Sequence, residues 1–265
     1  MFVWFSQSFS RTMLKSFRIL NYANVTGRIN WLSFSADGQY LIALNDENKL
    51  TFYNAMNGTA VKRLDFYQFG CKHAEFFENV DYILLSTTNY LHQIRLLSSI
   101  TSDTLHYFSG HKDNITCLST NSRINSSFMT GSLDKTLRLW DVRVPQSVGG
   151  LSYNSPPIGA FLPNRTTFLV GERSMVLKFY DMRSYTKGPF QVFDIYKYRQ
   201  NRKCKWKSFV FSPDGLYWAI LTNRGKALVL NKDTGLLRCE CRGNLFLNQN
   251  FKKSFFLLIY GNQLS

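Results

Sequence analysis

His111, Ser132 and Asp134 are the residues of this chain whose types and spacing could do chemistry. An acid facing an imidazole fixes its tautomer, and a hydroxyl beyond the ring completes the arrangement of a nucleophilic triad. A triad must face a cavity. The segment GSLDKTLRLWDVR (131–143) argues against one, because Leu137, Leu139 and Val142 alternate with Thr136, Arg138 and Asp141. That is the period of a strand with one buried face. No G-x-S-x-G elbow, P-loop, H-E-x-x-H or Rossmann glycine set occurs in the chain.

Metal chemistry has no better support. The 4 histidines, His73, His92, His106 and His111, include no pair at ligand spacing, and the 5 cysteines, Cys71, Cys117, Cys204, Cys239 and Cys241, include no C-x-x-C. Cys239 and Cys241 would share one side of a strand, and could hold a metal only with partners from elsewhere. Reduced core thiols are the expectation, and they fit the cytosol or nucleus. No catalytic residue, cofactor or metal site is expected.

The elements that position these residues repeat. The run KTLRLWD ends on Trp140, VLKFYD on Tyr180, NKLTFYN on Tyr53, HQIRLLS on Leu97 and KALVLN on Leu230. These anchors lie 44, 43, 40 and 50 residues apart. A period near 40–45 residues marks a WD-repeat β-propeller with four strands to each blade. Trp31–Gly38 (WLSFSADG) and Ser208–Gly215 (SFVFSPDG) are near copies, each a strand running into an Asp-Gly turn. The fold expected is all-β: about five complete four-stranded blades and a partial sixth. The domains expected are an N-terminal extension (1–13), the blades (14–244) and a divergent partial blade (245–265).

Gly110-His111 stands 29 residues before Trp140, the Gly-His to Trp-Asp arrangement of WD repeats. The resemblance implies a polar chain through that blade. It would run from Trp140 to Ser132 (or Thr130), then to His111, then to Asp134, so the set is a structural clamp.

Composition bounds the partners. Thirty-two Lys and Arg against 17 Asp and Glu give a net charge of +15, which points to an anionic partner. No apolar run reaches the roughly 18 residues of a membrane span, so no membrane association is expected. The start, MFVWFSQSFSRT, lacks a basic n-region and a cleavage site, so no secretory signal is expected; Met13 offers a second start.

Several stretches resemble one WD-repeat subfamily, the WD-repeat subunit of COMPASS-type histone H3 lysine-4 methyltransferase complexes, also found in a nuclear phosphatase and termination assembly. They are LKSFRI (14–19), TGSLDKTLRLWDVR (130–143) and above all YDMRSYTKGPFQVF (180–193). Lys187, Gly188, Pro189 and Phe190 are the most specific of these, and Cys204-Lys205-Trp206 ahead of FSPDG adds to the match. The resemblance implies a non-catalytic nuclear scaffold that binds a SET-domain methyltransferase subunit. It implies links to chromatin and to the phosphorylated C-terminal repeat of RNA polymerase II, with phosphatase-targeting or termination factors as further partners.

Two stretches depart from that family. KYRQNRKCKWK (197–207) is unusually basic, and Lys197, Arg199, Arg202, Lys203, Lys205 and Lys207, interleaved with Tyr196, Tyr198 and Trp206, form a candidate anion-binding loop. Its bland reading is a solvated connection; its sharp one is direct RNA or phosphopeptide binding. After Gly243, FKKSFFLLIYG reads as half a blade. Family rings usually close with seven, pairing an N-terminal strand, here SFRIL (16–20). A shortened gene product is the favoured expectation; a smaller ring and completion by a partner are the alternatives.

Overall fold

The computed structural model describes residues 27–242, except 90, 122–125, 164–165, 173–175, 199–205, 213–214 and 224–225. The expected N-terminal extension, closing strand and partial sixth blade lie outside these residues. The described chain forms twenty strands in five antiparallel sheets of four. Blade 1 contains β1 (Ile29–Phe34), β2 (Tyr40–Asn45), β3 (Lys49–Asn54) and β4 (Ala60–Asp65). Blade 2 contains β5 (Cys71–Phe77), β6 (Tyr82–Thr87), β7 (Ile94–Ser98) and β8 (Thr104–Phe108). Blade 3 contains β9 (Ile115–Thr120), β10 (Ser127–Ser132), β11 (Thr136–Asp141) and β12 (Ser147–Ser152). Blade 4 contains β13 (Ile158–Phe161), β14 (Thr167–Gly171), β15 (Val176–Asp181) and β16 (Gln191–Asp194). Blade 5 contains β17 (Trp206–Phe211), β18 (Tyr217–Thr222), β19 (Lys226–Asn231) and β20 (Leu237–Arg242).

Each sheet is a meander in chain order, and neighbouring blades touch along their first strands: β1 with β5, β5 with β9, β9 with β13, and β13 with β17. The described residues form five four-stranded blades of a β-propeller, as the repeat spacing implies for this part of the chain. All five anchors fall on third strands at one ladder position. Tyr53 pairs with Leu41, Leu97 with Ile83, Trp140 with Phe128, Tyr180 with Phe168 and Leu230 with Trp218.

The core lies between blades. Ile42, Leu44 and Phe52 of blade 1 meet Phe76, Ile83 and Leu97 of blade 2, and Leu177 and Phe179 of blade 4 meet Trp218, Ile220 and Leu230 of blade 5. Each such side chain contributes about 1.5–3 kcal/mol on burial. Second and third strands are covered on both faces, so they read as near-continuous apolar runs. The outer strands β4, β12 and β16 alternate exposed and half-buried residues instead.

Four of the five first strands carry a bulge at their second residue: Asn30, Lys72, Thr116 and Lys207. The extra residue leaves the ladder and re-aims its side chain. Blade 4 pairs β13 with β14 without one.

Cys71 and Cys117 are the buried free thiols expected, and burial pushes Cys71 up to about 12, with the Arg95 charge opposing. Cys239 departs from that expectation: it is exposed, on the outer strand β20.

Glu75 is the one acid on the five first strands. The residue is half-buried, with its carboxyl beside Trp31 of blade 1 and Thr120 of blade 3. Burial raises it to about 8, against the opposing pull of the Trp31 indole and the Thr120 hydroxyl. The indole stands near but makes no hydrogen bond of good geometry. A carboxyl whose folded value exceeds its unfolded one favours the fold when protonated. Stability therefore falls as pH rises from 4.5 to about 8. Glu75→Gln should remove that slope while both proteins share the titration of every histidine. Urea midpoints at pH 5 and pH 8 check this, and an equal change in the two proteins refutes a neutral Glu75.

Candidate functional site

Blade 3 contains the polar set that the sequence singles out. The Trp140 Nε1–H donates to Thr130 Oγ1 at 2.8 Å. Thr130 Oγ1 lies 2.8 Å from His111 Nε2, and His111 Nδ1 lies 2.8 Å from Asp134 Oδ2. The Asp134 carboxylate can only accept, so Nδ1–H goes to it, Nε2 accepts the Thr130 hydrogen, and the Thr130 oxygen accepts from the indole. Burial lowers His111, with Asp134 opposing. Burial would raise Asp134, but hydrogen bonds from the Thr136 hydroxyl, the Lys112 N–H and His111 outweigh it and hold the acid at about 2. At neutral pH the pair is an imidazole and a carboxylate.

The hydroxyl in this chain is that of Thr130, which corrects the placement of Ser132. Trp140 pairs across the ladder with Phe128, so Thr130 is its diagonal neighbour on the same face. Ser132 is two residues further, roughly 7 Å at 3.3 Å per residue. Its hydroxyl instead donates to the Asp113 carbonyl at 2.7 Å and accepts the Asp134 N–H at 3.1 Å. Both nitrogens of His111 are engaged and the residue is 6% exposed, so no lone pair is free for a substrate proton. Trp140 stacks on Phe128 (5.9 Å, 8° between planes) and packs edge-on against Phe108 of blade 2. The set locks blade 3 internally while its indole seals the boundary with blade 2.

In the other blades Ala43, Leu85, Val170 and Ile220 stand at the ladder position of Thr130. Asp141 plays a different part from Asp134. Its Oδ1 accepts the Arg143 N–H at 2.9 Å and turns the chain from β11 to β12. Asn54, Ser98, Asp181 and Asn231 accept from Met56, Thr101, Arg183 and Asp233 at the same turn of the other blades. Sequence reasoning missed this role, although the five short acceptors directly after the anchors were its signal.

The Lys187-Gly188-Pro189-Phe190 stretch leaves a single 3-10 turn, Tyr185–Lys187, between β15 and β16. Gly188 takes φ 102°, in the region that favours glycine, and its N–H donates to the Tyr185 carbonyl at 3.1 Å. Tyr185 points inward over Gly149 of β12, where an added Cβ would clash with its Oη. Lys187 and Pro189 are exposed, and Phe190 is 60% exposed while its N–H donates to the Phe179 carbonyl. Of the basic stretch, Lys197 falls on the 3-10 turn Tyr196–Tyr198 and Lys207 is exposed on β17. Arg199, Arg202, Lys203 and Lys205 lie outside the described residues.

Thr130→Val leaves the indole N–H and Nε2 without their shared partner. It should cost about 1–3 kcal/mol, whereas Ser132→Ala should cost about 1 kcal/mol. Denaturant unfolding compares the two, and a costlier Ser132→Ala would contradict the path through Thr130.

Comparison with known proteins bears on the whole chain. Residues 102–141 match the family WD domain, G-beta repeat. The chain is 33% identical over 213 residues to WD repeat-containing protein 82 of Drosophila melanogaster, covering 80% of this chain and 66% of that protein. It is 30% identical over 217 residues to Set1 complex component swd2 of Schizosaccharomyces pombe, covering 82% and 60%. It is 26% identical over 210 residues to COMPASS component SWD2 of Saccharomyces cerevisiae, covering 79% and 63%. The chain thus spans between 60% and 66% of the length of these relatives. With a matching repeat, five equivalent anchor positions and similarity along most of its length, the chain belongs to the WD-repeat family of these proteins.

Proposed function

We propose that this chain is a non-catalytic scaffold subunit of a nuclear histone H3 lysine-4 methyltransferase complex. It holds the SET-domain subunit and links the complex to chromatin and to phosphorylated RNA polymerase II. The observation that carries this reading is the similarity along about 80% of the chain to proteins named as Set1 complex and COMPASS components. The chemistry of blade 3 supports it, because the histidine, hydroxyl and carboxylate are spent on one another and on their own backbone. The exposed Pro189-Phe190 pair supports it too, as a rigid apolar projection whose backbone is tied to β15.

Affinity purification of the tagged chain from nuclear extract should recover SET-domain methyltransferase subunits and phosphorylated polymerase; a clean preparation without the former sinks the reading. Phe190→Ala should reduce recovery of the SET-domain subunit on the order of tenfold, as for an exposed aromatic hot spot, with an unchanged melting temperature.

A further inference from the structure

Three adjacent blades carry a cation on the third strand, two residues before the anchor. Arg95 precedes Leu97, Arg138 precedes Trp140 and Lys178 precedes Tyr180. The three share one ladder position, opposite Leu85, Thr130 and Val170. Each is half-buried, so each charged head calls for a polar partner. Two of them have one. Lys178 Nζ stands 2.7 Å from Glu172 Oε1, and Arg138 Nη1 donates to the Ser147 hydroxyl at 3.2 Å. The Arg95 side chain has no hydrogen bond or ion pair among the described residues.

Rings hold Arg95 instead. Its guanidinium carbon lies 3.8 Å from the centre of the Phe69 ring, in the linker from blade 1. It lies 5.0 Å from the centre of the Tyr107 ring, its ladder partner on β8. Phe66 braces Phe69 in turn, at 5.3 Å. Stacking orients a guanidinium without consuming any of its N–H groups. The Arg95 Nε–H is buried and unpaired, while Nη1 and Nη2 are neither bonded nor buried. Two such N–H groups, set in one plane and open to solvent, match the two oxygens of a carboxylate. Tyr107 is 50% exposed, and Leu105 on the same strand is exposed as well, so apolar surface flanks the charge.

We propose that Arg95, Phe69 and Tyr107 form a clamp for an aspartate or glutamate side chain in an acidic segment of a partner protein. In blade 4 the chain's own Glu172 supplies the carboxylate at this ladder position; in blade 2 the partner supplies it. The net charge of +15 draws such a segment in. A phosphate dianion fits less well, because it calls for a second cation. Lys62, on the neighbouring β4, is spent on the Ser99 and Ile100 carbonyls at 2.6 and 2.8 Å. A single-stranded nucleic acid fits less well too, because bases need free ring faces. Phe69 has Arg95 and Phe66 packed on it, which leaves Tyr107 alone. The clamp goes beyond the scaffold reading and requires no particular complex.

Fluorescence anisotropy of the full chain with a labelled decapeptide of alternating glutamate and leucine tests the clamp. Twins with glutamine or phosphoserine in place of glutamate, and a single-stranded RNA of equal charge, are the controls. The glutamate peptide should bind about tenfold more tightly than its glutamine twin. Arg95→Gln should abolish that preference, and Arg95→Lys should lose most of it, because an ammonium lacks the planar pair of donors. Arg183→Gln removes an equal charge from an exposed site on blade 4 and should leave the preference intact. Melting temperatures of the variants show that each is folded. A preference for glutamate that survives Arg95→Gln overturns the clamp, as does its equal loss in Arg183→Gln or a failure of the glutamate peptide to bind. A phosphoserine twin or an RNA that binds more tightly and depends on Arg95 overturns the carboxylate assignment. Recovery of SET-domain subunits reports separately on the scaffold reading and leaves this measurement untouched.

Discussion

A four-stranded sheet of this kind is apolar on both faces, and that constraint governs the rest of the molecule. Such a sheet cannot stand alone in water, because each face leaves leucines, isoleucines and aromatics unburied. Its neighbours supply the cover, so stability belongs to the boundaries between blades rather than to the blades themselves. Leu97 illustrates the dependence: it sits on β7 of blade 2 and is buried among blade 1 residues. Trp140 and Phe128 of blade 3 close the next boundary against Phe77, Leu84 and Phe108 of blade 2.

Within that frame blade 3 stands out for the chain of hydrogen bonds that runs through it from indole to hydroxyl to imidazole to carboxylate. The indole fills the space that leucine or tyrosine fills elsewhere, and its N–H creates a debt that the threonine settles. Other buried indole N–H groups, those of Trp31 and Trp218, find no partner of good geometry. Polar groups that would be costly singly become a pin when each satisfies the next.

Much of this was legible in the sequence. The period of the anchors placed five third strands, since an alternating run closed by a large apolar residue and a short polar one recurs in each blade. Trp140, His111 and Asp134 were legible for the same reason. The choice between Ser132 and Thr130 was not, because both have the right parity and only ladder register separates them. The turn role of Asp141 stayed hidden behind its pairing with Trp140. Lys207 drew notice as part of a basic run, whereas the structure places it on a bulge of β17.

Tyr185 and Gly149 carry a consequence for how such chains diverge. The ring of one occupies the volume that any side chain on the other would need. Residues from separate repeats, distant in the chain, thus form a single heritable unit. A lineage that enlarges one must shrink its mate, and homologues should show the two positions changing in concert rather than drifting independently.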